Sequence, residues 1–185
     1  LSHQNAETEM VNLQGKTMMP GFIEPHLHPS IAAIMLPNEI IAPYDWVLPD
    51  QTKKGVQGHD NYIGRITASI KENGESDEVY FIWGYHQLWH GELSRDILNE
   101  IAPDQPVGII HRSFHEIYLN DAAIEAIGIQ ESDFLGNSQV DWKKGHFYEG
   151  GWLALVPRMA PNLVDMQRYL KGSSIMSQLI VQNGI

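Results

Sequence analysis

The sequence predicts an α/β fold, because short apolar segments alternate with amphipathic segments of helical period. Residues 79–83 and 107–111 are rich in the β-branched and aromatic side chains that favour buried strands. Before and between them, apolar residues recur every three or four positions, as on the inner face of a helix. Strands that alternate with helices in this way are typical of a sheet covered by helices.

Composition limits the classes of function open to this chain. With 43% hydrophobic residues, its 185 residues can bury the core of one domain. The formal net charge of -11 argues against nucleic acids and anionic membrane surfaces as partners, and no apolar run approaches the length of a membrane span. The absence of cysteine excludes disulfides and thiolate metal sites, so a metal would need histidine or carboxylate ligands. These features agree with a cytoplasmic protein, which is the location that we expect.

The most informative stretch is residues 18–30, which read M-M-P-G-F-I-E-P-H-L-H-P-S. Its residues 21–24 predict a short strand that runs into His26 and His28, because the flanking prolines cannot donate to a sheet. Side chains at i and i+2 of an extended chain project to the same side, so both imidazoles can reach one point. Two neutral imidazoles would supply half of a divalent-metal site, although a His-x-His pattern alone more often has a surface or structural role.

The elements that flank this motif follow from local signals. Residues 10–19 alternate weakly between apolar and polar side chains and predict a short hairpin or edge strand. Ser30 is the expected N-cap of a short helix that Pro37 ends. Residues 38–58 carry prolines and a glycine among mixed residues and predict a long irregular connection.

A regular succession of helices and strands follows that connection. Three helices are predicted, each beginning at a capping residue: Asp60, Ser94 and Asn120. The strands at 79–83 and 107–111 come after the first and second of these helices. Each helix is therefore expected to cover a face of the sheet that the strands form.

The last part of the chain predicts one more strand and two more helices. Residues 146–149 follow a break at Gly145 and predict a short strand. A short helix over 152–159 is expected next. Asn162 is the expected cap of the longest helix, about 20 residues by its periodicity.

Residues 16–29, which read K-T-M-M-P-G-F-I-E-P-H-L-H-P, resemble the first barrel strand of the amidohydrolase superfamily. Its members are metal-dependent hydrolases on a TIM barrel, in which an apolar strand ends in His-x-His. The resemblance implies that His26 and His28 bind a divalent metal, with zinc as the expected ion. It also implies a general-base aspartate beyond Ile185.

Later segments resemble the YtcJ-like branch of that superfamily, which includes N-substituted formamide deformylases. Residues 102–107, A-P-D-Q-P-V, match the Ala-Pro-Asp-x-Pro-Val segment of the branch closely. Residues 84–87, G-Y-H-Q, resemble its Gly-Trp-Asp-Gln segment, with His86 in place of the aspartate. The remaining matches are a Gly-His segment followed by Asn, here Phe114, His115 and Asn120, and a Gly-x-x-x-Glu segment, here 145–149.

The resemblance implies a fragment of a TIM-barrel amidohydrolase, truncated at both ends, because a complete barrel needs about 250 residues. Residues 1–20 would form the edge of a small β-sandwich, and 21–37 the first barrel strand and its helix. Residues 38–160 would be an inserted α/β subdomain, and 161–185 a barrel helix that leads to the missing second strand. The expected partner is then the remainder of its own barrel, and a homo-oligomer is left open.

The function implied by the resemblance is metal-dependent hydrolysis of a non-peptide C–N bond, in a small-molecule amide or formamide. The fragment alone is expected to be inactive, because two imidazoles are too few ligands for a catalytic zinc site. Two alternatives stay open: a non-catalytic α/β binding module, and a metal-dependent hydrolase of ester bonds.

Four further residues are candidates for the site. His115 is a candidate catalytic residue that binds substrate or stabilises developing charge, although a hydrogen-bonded core histidine is nearly as common. Glu149 could reach the metal or its water, or be a solvated carboxylate at a strand end. His86 and Trp89 are candidate substrate-binding residues, because clusters of aromatic and imidazole rings line pockets, yet most such clusters only pack.

Overall fold

A six-stranded mixed sheet forms the centre of the protein, seen in a computed structural model that describes residues 5–74 and 76–185. A separate two-stranded ribbon lies beside it. The strands are β1 (Glu39–Ile40), β2 (Trp46–Val47), β3 (Thr52–Lys53), β4 (Tyr80–Tyr85), β5 (Val107–His111), β6 (Glu116–Leu119), β7 (Val140–Asp141) and β8 (His146–Tyr148).

The order of the main sheet is β1-β4-β5-β6-β8-β7. β1, β4 and β5 are parallel to one another, whereas β6, β8 and β7 are added antiparallel. The central strand β4 pairs with a neighbour on each side, so that Trp83 lies opposite Ile40 in β1 and Ile110 in β5. This strand is buried almost throughout, as expected of a parallel strand with helices on both faces.

Seven α-helices and one 3-10 helix surround the sheet in the described residues. The helices are α1 (Pro29–Met35), α2 (His59–Asn73), α3 (Gln87–His90), α4 (Arg95–Ile101), α5 (Asp121–Ile127), the 3-10 turn Glu131–Phe134, α6 (Gly150–Leu163) and α7 (Met166–Gln182). None of the helices in the described part of the chain is long and apolar enough to cross a membrane.

Two apolar clusters, one on each face of the sheet, form the core. Alternate residues of β4 belong to different clusters, because successive side chains of a strand point to opposite faces. Phe81 and Trp83 belong to the cluster that includes residues of α1, α5 and α6. Ile82 belongs to the cluster that includes Tyr62 and Ile66 of α2. The α/β class predicted from the sequence is therefore confirmed.

Two of the predicted helix caps are confirmed by side-chain hydrogen bonds. Ser94 Oγ accepts from the Ile97 N–H at the start of α4. Asn120 Oδ1 accepts from the Ala123 N–H at the start of α5, and also from the Val107 N–H of β5. Asn120 is fully buried and links strand β5 to helix α5.

Three predicted caps are wrong, each by a few residues. Helix α1 begins at Pro29, whose fixed φ suits a first helical position, so His28 is the N-cap and Ser30 lies inside the helix. Gly58 rather than Asp60 is the N-cap of α2. Helix α6 continues past Asn162, and Asp165 caps α7 by accepting from the Arg168 N–H.

The predicted strands at 10–19 and 21–24 are absent: these residues are exposed and have no regular secondary structure. A strand needs a neighbour that satisfies its backbone groups, and the described residues offer them almost none. Apart from a local turn bond from Lys16 N–H to the Leu13 carbonyl oxygen, one backbone bond to another described segment is present. It is a 2.6 Å hydrogen bond from Phe22 N–H to the Gly184 carbonyl oxygen, which brings residues 22 and 184 together. Residues 1–4, part of the predicted sandwich edge 1–20, lie outside the described residues.

The predicted irregular connection at 38–58 is also wrong in part, because it contains β1, β2 and β3. Two-residue strands are too short to leave a periodic signal in the sequence. β1 is nevertheless the edge of the main sheet, next to β4.

Helices α1 and α7 pack closely across one another. The closest approach is at Gly172, where an added Cβ would overlap the carbonyl oxygen of Ala33. Only glycine allows the two backbones to come so near. This contact fixes the position of α1, and with it the position of the histidine pair that precedes the helix.

Candidate functional site

His26 and His28 lie at the start of α1 with their side chains together. Their Nε2 atoms are 2.9 Å apart, and the rings are nearly perpendicular, at 84°. Glu24 fixes the turn before them, because its Oε1 accepts from the His26 N–H at 3.0 Å. The i, i+2 spacing therefore brings both imidazoles to one point, as predicted, although the strand expected to present them is not formed.

The histidine pair fits a metal ion in donor type. Two nitrogens at about 2.0–2.1 Å from one tetrahedral zinc ion lie roughly 3.3 Å from each other. The observed separation is 2.9 Å, a hydrogen-bond distance, so a small outward turn of the two rings would admit the ion. The pair is exposed and open on the remaining sides. Within residues 5–74 and 76–185, no group of three or more His, Cys, Asp or Glu side chains is arranged to hold a metal.

A cavity of about 490 Å³ adjoins the histidine pair. It lies between α1, the carboxyl end of β4, the β5–β6 turn and α7. Three polar side chains, His28, Ser113 and His115, contribute to its wall. The rest of the wall is apolar: Leu27, Ile31, Ala32, Met35, Leu36, Ile40, Trp46, Trp83, Phe114 and Met176. Its volume lies within the range of small-molecule sites.

The turn between β5 and β6 holds His115 at this cavity. Ser113 Oγ lies 2.7 Å from His111 Nδ1 and accepts from the His115 N–H at 3.2 Å. Phe114 has a φ of 63°, a left-handed conformation that few non-glycine residues adopt. The glycine expected at this position from the resemblance would adopt such a φ without strain, whereas Phe114 does not.

His115 and Glu149, both predicted from the sequence, are in direct contact. His115 Nδ1 lies 3.0 and 3.1 Å from the two carboxylate oxygens of Glu149. A carboxylate only accepts, so Nδ1 carries the hydrogen and Nε2 is the nitrogen left for another partner. Glu149 has a φ of 45°, which is strained for a residue with a side chain. Carboxylate–imidazole pairs of this kind orient ligand and catalytic histidines.

The structure places His86 and Trp89 away from this cavity, since neither contributes to its wall. They contact each other at the end of β4, with ring centroids 4.6 Å apart. His86 Nδ1 accepts from the Leu88 N–H and caps α3. Arg112 lies over the Trp89 ring at 5.4 Å. Their predicted role in binding substrate stays a prediction.

Two buried histidines next to this cluster have lowered pKa values. Burial lowers the pKa of His90 from 6.5 to about 4. His90 is fully buried and is satisfied in its neutral form, because Nδ1 accepts from the His86 N–H and Nε2 lies 3.0 Å from the Val56 carbonyl oxygen. Burial also lowers the pKa of His111.

Several residues of the cavity were missed by the sequence analysis. Trp83 was predicted only as part of a buried strand, and Ser113 was not singled out. Trp46 and Phe114 both contact Trp83, Trp46 edge-on and Phe114 stacked, with ring centroids at 4.7 and 5.3 Å. The single local signal for this part of the cavity is Phe114, which stands where the resemblance predicts a glycine.

The sequence model of the amidohydrolase family matches residues 9–139, which is well over half of the chain. The chain belongs to the amidohydrolase family. The predicted resemblance is thus confirmed at the level of the family. The matched residues include the histidine pair, the β5–β6 turn and strands β1 to β6.

Curated relatives are similar over part of the chain. It is 27% identical over 125 residues to N-substituted formamide deformylase of Arthrobacter pascens, a match that covers 66% of this chain and 21% of that protein. It is 24% identical over 123 residues to Protein LONG AFTER FAR-RED 3 of Arabidopsis thaliana, which covers 66% of this chain and 19% of that protein. The amidohydrolase-family chain thus spans about a fifth of the length of these relatives.

Two solved structures resemble the fold. An uncharacterized metal-dependent hydrolase from Pyrococcus horikoshii OT3 superimposes with a TM-score of 0.60 at 20% identity, over 90% of this amidohydrolase-family chain and 30% of the other. One from Pyrococcus furiosus gives a TM-score of 0.59 at 18% identity, over 90% and 31% respectively. At these identities the likeness concerns the fold.

Proposed function

We propose that this chain carries the first metal ligands and part of the substrate pocket of a metal-dependent hydrolase that cleaves a non-peptide C–N bond. The observation that carries the proposal is the convergence of His26 Nε2 and His28 Nε2 at 2.9 Å, beside an apolar cavity whose wall also includes His115. Similarity to a protein named N-substituted formamide deformylase supports an amide or formamide substrate.

His26 and His28 would hold a divalent ion, with zinc favoured because imidazole nitrogen is among its preferred ligands. A divalent ion there would supply an acidified water and polarisation of the scissile carbonyl group. His115 would contact the substrate through Nε2, because Glu149 holds its Nδ1–H. When protonated, Nε2 donates to a developing negative charge, which is the catalytic role proposed for His115, with Glu149 as its positioning residue. The apolar wall excludes water from the bound substrate.

The remaining ligands and the general base would come from the rest of a TIM barrel in a longer polypeptide. Residues 21–37 would belong to its first strand and helix, residues 161–185 to the helix before its second strand, and 38–160 to an insertion. The hydrogen bond from Phe22 N–H to the Gly184 carbonyl oxygen supports this arrangement, because adjacent parallel barrel strands make such backbone contacts. The rest of that barrel is the partner we propose, and the chain alone would be inactive.

A second candidate is a non-catalytic α/β binding module. It is favoured for the isolated chain by the lack of any metal-holding group of three or more His, Cys, Asp or Glu side chains in the described residues. In this case the apolar cavity would bind a small molecule without turnover. An ester substrate remains the third alternative, to be separated from amides by substrate profiling.

The proposal is tested by the metal content of the full-length polypeptide, purified after growth in zinc-supplemented medium. We expect close to stoichiometric zinc or another divalent ion in the wild type, and its loss in the His26→Ala/His28→Ala double variant. His59→Ala is the matched control, because His59 is also an exposed histidine but lies at the start of α2, outside the site.

Retention of metal by the double variant would remove His26 and His28 from the ligand set. Absence of metal from both proteins would overturn the hydrolase proposal and favour the binding module. Loss of metal from His59→Ala as well would indicate a general effect on folding, which circular dichroism of the wild type and the two variants would reveal.

A further inference from the structure

One residue in the wall of the cavity beside the histidine pair, Trp83, carries a buried polar group that the described residues do not satisfy. Trp83 is 7% exposed, and its indole Nε1–H is buried without a hydrogen-bond partner among the described residues. Buried polar groups are nearly always hydrogen-bonded, so an unpartnered donor in a binding cavity calls for an acceptor from outside the chain.

The backbone holds Trp83 firmly in this place. Its carbonyl oxygen accepts from the Ile41 N–H at 2.9 Å, and it is paired with Ile40 and Ile110 in the neighbouring strands. The register between β4 and β5 shifts directly after Trp83, where Gly84 has a φ of 117°. Such irregularities redirect side chains and are frequent next to functional sites.

The surroundings of the indole define which acceptor it would take. Trp46 and Phe114 flank the ring, and Ile40 and Met35 complete an apolar wall. A charged acceptor would lose its hydration there without a compensating charge, whereas a neutral acceptor loses much less. The cavity has three polar side chains: His28 of the histidine pair, and Ser113 and His115 of the β5–β6 turn.

We propose that Trp83 is a specificity residue whose indole N–H donates to a neutral acceptor atom on the apolar substituent of the substrate. This inference rests on the proposed function and refines its substrate class: an amide whose substituent is a ring system with one hydrogen-bond acceptor, such as a ring nitrogen or an ether oxygen. The cavity of about 490 Å³ has room for a bicyclic ring. Because Nε1 is buried, binding of the acceptor requires a rearrangement of the side chains that pack around the indole ring.

The test compares N-(naphthylmethyl)formamide with a set of quinolinyl isosteres of the same shape. The isosteres differ only in the ring position of the nitrogen. Binding to the protein is measured at a pH where the quinoline nitrogen is uncharged. We expect one isostere to bind about fivefold more tightly than the naphthyl probe, as one neutral hydrogen bond provides. Only that isostere should shift the indole N–H signal of Trp83 downfield in the NMR spectrum of the wild type.

Trp83→Phe keeps an aromatic ring and removes the donor. It should therefore abolish the preference for the quinolinyl isostere over the naphthyl probe, while both probes still bind. Trp142→Phe is the matched control, because Trp142 packs against Phe134 and Phe147 and does not line the cavity, so the preference of this variant should equal that of the wild type. The NMR shift in the wild type decides the matter if Trp83→Phe does not fold.

Equal binding of all probes, or an unchanged preference in Trp83→Phe, would overturn the assignment of Trp83. The cavity would then still be a binding pocket for the probes. Failure of every probe to bind would overturn it together with the pocket. Metal binding by His26 and His28 is measured separately, so the proposed function and this inference can fail independently.

Discussion

His115 and Glu149, 34 residues apart in the sequence, are joined twice. The imidazole Nδ1 faces both carboxylate oxygens, and the Glu149 N–H donates to the His115 carbonyl oxygen at 2.9 Å. The side-chain contact occupies Nδ1 of His115 and leaves Nε2 as the ring nitrogen available to another partner. The strained backbone of Glu149 is maintained by the same arrangement.

The first prediction concerns the tautomer of His115. Glu149→Leu removes the acceptor, so neutral His115 should change from almost purely Nδ1–H to a mixture of tautomers, visible in its imidazole nitrogen NMR shifts. Both side chains are more than half exposed, so we expect a stability change of less than about 1 kcal/mol. Glu149→Gln is the matched control, because its amide oxygen can still accept. An unchanged tautomer in Glu149→Leu would show that the carboxylate does not orient the ring.

The second prediction concerns the pH dependence of stability. The folded-state pKa of His90 is about 4, below its ordinary value of 6.5. As the pH falls through this window, the unfolded chain takes up a proton that the folded chain does not. Stability should therefore decrease as the pH falls from about 6.5 toward 4, by at most about 1.4 kcal/mol per pH unit from this group.

Urea unfolding of wild type and His90→Gln across this window measures the effect. The variant should be less stable at neutral pH but show a shallower pH dependence, while a remaining slope comes from His111 and the carboxylates. Parallel curves for wild type and His90→Gln would mean that His90 is protonated equally in both states.

The third prediction concerns the crossing of α1 and α7. A methyl group at Gly172 would overlap the Ala33 carbonyl oxygen, which belongs to the backbone and cannot rotate away. We expect Gly172→Ala to lower the free energy of unfolding by roughly 2–3 kcal/mol and to raise amide exchange in α1. Gly64→Ala in α2 is the control, because an added Cβ there meets no atom within 4 Å, and it should gain about 1 kcal/mol from helix propensity.

The α1–α7 crossing also bears on the histidine pair. Displacement of α1 should separate His26 and His28, so Gly172→Ala should bind zinc less tightly than Gly64→Ala does. Equal amide exchange in α1 for the two variants would contradict the close crossing.

The fourth prediction concerns Asn120, a buried junction between elements. Its Oδ1 accepts from the backbone of β5 and α5, and its Nδ2 donates to the carbonyl oxygens of Ala102 and Gln105. Asn120→Ala leaves these buried groups without partners and should cost more than about 3 kcal/mol. Asn120→Asp should also destabilise strongly, because it replaces two donated bonds with a buried charge.

Asn61→Ala is the control for Asn120, since Asn61 is exposed and makes one bond within its own helix region. Its cost should stay within about 0.5 kcal/mol. Chemical denaturation measures all three variants, and similar losses for Asn61→Ala and Asn120→Ala would contradict the role of Asn120.

Sequence reasoning succeeded where the signal is local. The strand at 107–111 has the bounds that were predicted, and the caps Ser94 and Asn120 make the expected bonds. Prolines, caps and periodic apolar residues act over a few positions, so a single sequence contains them. The i, i+2 spacing of His26 and His28 is a local relation of the same kind.

It failed where the structure depends on contacts between distant segments. The strand predicted at 21–24 lacks neighbours in the described residues, and β1 forms only because β4 lies beside it. The cavity joins five separate segments, and nothing in the sequence near Trp83 indicates an unpartnered donor. The resemblance singles out His115 and Glu149 separately, and nothing in the sequence predicts that they contact each other.

The hydrogen bond between Phe22 and Gly184 has a consequence for how the chain reaches this structure. It closes a loop that contains almost the entire chain, whereas the contacts of β4, β5 and β6 close much shorter loops. Long loops cost more entropy to close and are closed late in folding. The sheet should therefore form first, and the segment that carries His26 and His28 should become ordered in the slowest kinetic phase.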